Sequence, residues 1–152
     1  MVRSLLCGAA AGAAGTTALN AVTYLDMSVR ARPASSTPQD TVRDLATKAG
    51  LVIPGTGKER DNRLQGLGPL AGIVVGVGVG VLLGLVRGLG WRPSPAAGAA
   101  VATLVALVAA NGPMTALGIT DPRGWDREAW VSDVVPHLAY GAVTAGTLAA
   151  MD

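Results

Sequence analysis

Charge is distributed along this chain in blocks, and the blocks predict its elements. Four stretches carry no formal charge: Ser4–Leu25, Leu64–Val86, Pro93–Thr120 and Val134–Met151, of 22, 23, 28 and 18 residues. Inside them apolar residues run on without the alternation of polar and apolar faces that a helix in a soluble bundle requires. A hydrocarbon core about 30 Å thick takes roughly 20 apolar residues of helix to cross. The pattern therefore predicts an all-α, polytopic membrane protein with one membrane domain over residues 1–152 and four spans, at 5–25, 67–86, 96–117 and 134–151. Trp91 falls in the turn between spans two and three, Trp125 and Trp130 just before span four, and Tyr24 at the close of span one. Amphipathic rings favour such water–lipid boundaries.

Residues 26–66 form the one sizeable polar segment, too short to bury a core of its own. Arg32–Ser36 reads as a linker. Thr37–Pro38–Gln39–Asp40 reads as a helix start, with a hydroxyl cap, a proline in the first turn and a carboxylate near the positive end of the dipole. Val42, Leu45, Ala46 and Ala49 follow at helical spacing and Gly50 is a natural stop. This short amphipathic helix, 38–49, reads best as a lid on its own bundle; the alternatives are the headgroup surface or a partner. Lys58–Leu67 is expected to lead helically into span two. With four spans, nine Lys and Arg fall in the loops 26–66 and 118–133, against Arg3, Arg87 and Arg92 on the other side. The excess of positive charge predicts the long loops in the cytoplasm and both termini outside.

Glycine patterning is strongest in span two, where Gly68, Gly72, Gly76, Gly80, Gly84 and Gly88 stand four apart. Lipid tails are as apolar as leucine, so helices associate in a bilayer by close packing, and glycine lets two backbones approach. A step of four on a 3.6-residue turn drifts by about 40°, so the stripe winds around the helix. Gly8, Gly12 and Thr16 repeat the device in span one, Gly98, Ala102, Ala106 and Ala110 in span three, and Gly141, Ala145 and Ala149 in span four. A tight Gly/Ala-packed bundle follows, with mostly internal partners. There is also a 2+2 internal repeat: Thr17–Asn20 echoes Thr115–Gly118, Asp26 and Asp121 follow each, and Pro69–Ala71 echoes Pro136–Ala139. Such halves would be related by a pseudo-two-fold along the membrane normal.

Polar residues within the spans are the candidate site: Asn20, Asn111, Asp133, His137 and Tyr140. Thr16, Asn20 and Tyr24 line up at steps of four, and Asp133, His137, Tyr140 and Thr144 share one face. Asn111–Gly112–Pro113 is expected to break span three, because Pro113 cannot donate to the Ala109 carbonyl. Some transporters place their sites at such breaks. An Asp133–His137 pair is a candidate for proton uptake. The commoner use of Asn, Thr and His inside a membrane is interhelical hydrogen bonding worth about 1 kcal/mol each, and that reading is preferred for Asn20, Asn111 and His137.

Composition removes several function classes. A net charge of +2 with no basic stripe argues against nucleic acid, and one cysteine cannot make an internal disulfide. A single histidine with no suitably spaced nitrogen or sulfur ligand predicts no metal. Gly76–Val77–Gly78–Val79–Gly80 mimics part of a nucleotide loop but lies inside an apolar span. No nucleophile–base order or phosphate loop is present, so neither a cofactor nor enzyme activity is expected. Met1–Val2–Arg3 resembles a signal n-region, yet Ala18–Leu19–Asn20 is a poor cleavage site, so the first helix is expected to remain.

Residues 18–27 (ALNAVTYLDM), 32–38 (RPASSTP), 111–118 (NGPMTALG) and 132–141 (SDVVPHLAYG) resemble strings of a family of small, functionally uncharacterised actinobacterial four-helix integral membrane proteins. The resemblance covers nearly the whole chain. It implies four spans and a plasma-membrane address, and it carries no functional residue. The leading expectation is a non-enzymatic structural or accessory component of a membrane assembly, its partners the lipid bilayer and other membrane subunits or copies of itself. The rival is a small transporter or proton-linked channel built on the polar residues of the bundle. A third reading is lipid or hydrophobic-ligand binding between the helices.

Overall fold

In the computed structural model, which describes residues 1–151, every regular element is helical: α1 (Val2–Arg30), α2 (Thr37–Lys48), α3 (Lys58–Gly88), α4 (Pro95–Ala116) and α5 (Arg127–Ala150), with a 3-10 turn at Pro122–Gly124. Three of them, α1, α3 and α4, are long and apolar enough to cross a membrane, and they mark the chain as a membrane protein. Helix α5 is not among them: Arg127, Glu128 and Asp133 occupy its first two turns. Its uncharged part, Val134 to Ala150, is at the short end of what hydrocarbon requires.

Local chemistry sets the boundaries. Ser94 Oγ accepts from the Ala97 amide at the start of α4, with Pro95 in the first turn, and Asp126 caps α5 by accepting from Ala129 N at 2.7 Å. Helix α2 begins one residue earlier than its sequence suggests. Ser36 is the N-cap, Thr37 is already helical, and the hydroxyl that accepts from the Thr37 amide is that of Ser35, at 3.2 Å. The expected break in α4 does not occur. The helix continues past Pro113 to Ala116, as α3 and α5 continue past Pro69 and Pro136: the proline removes one donor, that to the Ala109 carbonyl, and leaves those of the residues after it. Helix α1 ends on Ala31 in the left-handed conformation, φ 50°.

Helix α1 runs antiparallel to both α3 and α5, and α4 antiparallel to α5. Ser4 faces Gly84 and Gly88, Gly12 faces Gly76 and Gly80, and Gly15 faces Tyr140 and Thr144. Gly141 lies against Ala99 and Thr103. The α1–α3, α1–α5 and α4–α5 pairs touch extensively, whereas α3 and α4, neighbours in sequence, touch far less. Strict 2+2 symmetry would make the α1–α5 and α3–α4 contacts alike, and here they differ. Helix α2 lies across the first part of α3, with Pro38 and Gln39 over Gly68, as the lid reading expects.

Side-chain size runs opposite to that of a soluble protein. Buried positions include Gly8, Ala11, Gly12, Gly15, Ala102 and Ala106, with Tyr140 the largest side chain that is fully enclosed. Val74, Leu104 and Val108 are 60–70% exposed. Large aliphatic groups outside and small residues between helices suit a hydrocarbon solvent.

Candidate functional site

At the end of the bundle that carries the two long loops, Asn111 Nδ2 of α4 donates to Asp133 Oδ2 of α5 at 2.9 Å. One turn on, His137 Nδ1 lies 2.7 Å from the Asp133 carbonyl oxygen and 3.6 Å from Asp133 Oδ1. A carbonyl only accepts, so Nδ1 carries the proton of that bond. His137 is buried and Asp133 half-buried. The trio joins α4 to α5 and leaves each partner engaged.

Tyr140 and Thr144 continue the same face of α5 but serve other helices. The Tyr140 hydroxyl donates to the Gly76 carbonyl of α3 at 2.6 Å, and the Thr144 hydroxyl reaches the Ala11 carbonyl of α1 at 3.4 Å. The shared face predicted for Asp133, His137, Tyr140 and Thr144 therefore exists, and it is divided among three neighbours. Asn20 is half-buried and joins none of these contacts; Tyr24, four residues on, is mostly exposed. The five candidates do not converge on one cavity. Among the described residues no buried side-chain nitrogen or oxygen lacks a hydrogen-bond partner.

The glycine series divides in the same manner. A methyl group at Gly12 would stand 2.7 Å from the Gly76 carbonyl oxygen, and one at Gly80 would fall 2.6 Å from Gly12 N. Gly84 and Gly88 meet Ser4, and Gly76 meets the Thr16 hydroxyl. Gly68 instead receives α2, and Gly72 has nothing within 4 Å, so the packing role expected of Gly72 is not met within this chain. The winding of the stripe explains the change of partner. Sequence reasoning passed over Gly15, which meets Tyr140 and Thr144; it lies off the four-residue step of Gly8 and Gly12.

Outside the spans, Arg30 bridges α1 to α5. It pairs with Asp26 and, at 2.5 Å, with Glu128, and also meets the Ser132 hydroxyl; Arg32 turns back onto Asp26 at 2.6 Å. In the α4–α5 loop, hydrogen bonds from the Arg123 side chain and then its backbone amide hold the Asp121 carboxyl below its ordinary range. Trp125 donates to Thr120 Oγ1 at 2.7 Å and meets Trp130 edge to face at 5.1 Å.

At the opposite end, the hairpin end, Arg3, Arg87 and Arg92 line a cavity of about 150 Å³ together with Ser4, Cys7 and Met151. Arg3 Nη2 donates to the Met151 carbonyl at 3.3 Å. Arg87 and Arg92 flank one short turn, and the antiparallel packing of α1 on α3 brings Arg3 to them. Comparison with family models, with curated proteins and with solved structures finds no match.

Proposed function

We propose that this chain is a four-span, non-enzymatic protein of the bacterial plasma membrane that acts by association, as a structural or accessory component of a membrane assembly. The observation that carries the reading is the use made of the polar residues. Asn111, Asp133, Tyr140 and Thr144 are taken up in bonds between helices, which is how polar side chains hold a membrane bundle together, and His137 is bound to the Asp133 carbonyl within α5. The arginine-lined cavity lies at the other end, lined by none of them. Helix α5 serves as the fourth span in this proposal. Its burial against α1 and α4 offsets its modest hydrophobicity, because a helix sheltered by others needs less of its own. Close approach at Gly8, Gly12, Gly76, Gly80 and Gly84 supports a tight Gly/Ala-packed bundle. Nine of the twelve basic residues belong to the loop end, which supports cytoplasmic long loops. Membership of the actinobacterial family belongs to the same proposal and rests on the four strings alone.

Copurification tests the reading. Extracted from native membranes in mild detergent, the chain is expected to bring partner subunits or further copies with it. Recovery only as a lone, uniformly sized species would remove the accessory role. The transporter reading retains one specific support, the half-buried Asp133 carboxylate between Asn111 and His137. Proton flux in liposomes that is unchanged by His137→Ala and Asn111→Ala would end it.

A further inference from the structure

We propose that α1 is the seat that holds α5 across the membrane: Arg30 and Arg3, at the two ends of α1, grip the two ends of α5, and the crossing of α5 depends on that grip. The inference goes beyond the four-span reading and rests on it. Helix α5 has a weak claim on hydrocarbon by itself. Its uncharged part runs only from Val134 to Ala150, against the roughly 20 residues a crossing takes. Its buried positions are Pro136, His137, Tyr140, Gly141, Thr144 and Leu148, so most of what it turns inward is polar or small. Lipid offers those polar groups no partner, and other helices of the chain must supply one.

At the loop end, Arg30 Nη1 donates to Glu128 Oε1 at 2.5 Å and Nη2 to the Ser132 hydroxyl. Arg30 Nε and Nη2 also hold the two oxygens of Asp26, at 2.7 and 2.6 Å. That two-pronged pair, with Arg32 on the same carboxylate, fixes the guanidinium to α1 and aims its other N–H groups at α5. At the hairpin end, Arg3 Nη2 donates to the Met151 carbonyl at 3.3 Å. Met151 is the C-cap of α5, where carbonyls lack partners within the helix and partial negative charge gathers. Arg3 and Arg30 stand 27 positions apart, about 40 Å of helix, and Glu128 and Met151 stand 23 apart, about 35 Å. Both spans exceed the hydrocarbon core of about 30 Å, so the two grips belong to opposite faces of the bilayer. Between them Gly15 receives Tyr140 and Thr144, and the Thr144 hydroxyl reaches the Ala11 carbonyl. Helices α4 and α3 hold α5 at one level each, through Asn111 and the Gly76 carbonyl, whereas α1 follows it from end to end.

The test uses the full chain with its sole cysteine replaced, Cys7→Ser, and a new cysteine appended after residue 152. A membrane-impermeant maleimide is applied to intact cells and to inverted vesicles. Thr56→Cys, in the exposed turn before α3, reports the loop side in a separate chain. The appended cysteine is expected to label from the side opposite to Thr56→Cys. Arg30→Ala is expected to raise the fraction labelled from the loop side about fivefold, the worth of a good ion pair near the surface. Arg3→Ala is expected to raise it about twofold, the worth of a cation at a helix C-terminus. The positive-inside rule alone makes these two variants act in opposite senses, because their charges leave opposite sides; the grip makes them act alike. Arg30→Lys keeps the charge and loses the fork, and is expected to fall between the parent chain and Arg30→Ala. Arg60→Ala removes the same charge from the same loop and is expected to change nothing. If the appended cysteine and Thr56→Cys label from one side in the parent chain, the four-span reading fails and takes this inference with it. Opposite labelling that neither Arg30→Ala nor Arg3→Ala moves, or that Arg60→Ala moves as far as Arg30→Ala, would overturn the grip and leave the four spans standing. Shifts of opposite sign in Arg30→Ala and Arg3→Ala would do the same.

Discussion

Ala31 holds the one left-handed backbone among the described non-glycine residues, φ 50°, at the end of α1. The turn it makes brings Arg32 back to Asp26, where Arg30 is already bound. A left-handed L-residue is strained by roughly 1–2 kcal/mol, part of which glycine returns through its freedom in the unfolded chain. Ala31→Gly is therefore expected to stabilise the protein by about 0.5–1 kcal/mol, read as a raised unfolding midpoint in detergent. Tyr140 is the converse case. Its hydroxyl is buried and bound to the Gly76 carbonyl, so Tyr140→Phe leaves that oxygen with one partner fewer. A loss of about 1 kcal/mol in the same measurement is expected, in line with hydrogen bonds between membrane helices.

The contrast between Gly80 and Gly72 decides what the glycine series does. At Gly80 the obstacle to a side chain is the backbone of α1, which cannot rotate away, whereas Gly72 opens on empty space. Gly80→Leu is expected to destabilise by about 3 kcal/mol, the upper range for overpacking. Gly72→Leu is expected to be neutral or slightly favourable, since leucine is the better helix former by up to about 1 kcal/mol. Thermal aggregation of the two variants in one detergent separates them. Much of this level was legible in the sequence. Blocks free of charge gave the long helices, Gly50 gave the end of α2, and Gly8 and Gly12 gave the face that meets α3. Two features were not. Pro113 looks like a break when read alone, yet it removes a single donor, and the helix runs through it as α3 and α5 run through Pro69 and Pro136. Gly72 looks equivalent to its neighbours in the repeat, because a repeat states a spacing and not which helix stands opposite.

At the scale of the whole molecule, the candidate site was legible as a set of residue types and not as a place. Asp133, His137, Tyr140 and Thr144 do share a face of α5, but the order of the surrounding helices sends them to α4, α3 and α1 in turn. Nothing local to α5 encodes that order. Asn20 fails to join them for the same reason. The placing of α1 between α3 and α5 also bears on biogenesis. The Ala11 carbonyl and its partner Thr144 are separated by 133 positions, which at 5–20 residues per second is about 7–27 s of translation. During that interval Gly15 has neither Tyr140 nor Thr144 beside it, and the first helix to emerge waits for the last. A chain ending at Ala116 is expected to be cleared from cells several-fold faster than the full sequence in a pulse–chase experiment. Equal half-lives would mean that α3 alone shelters the nascent helix.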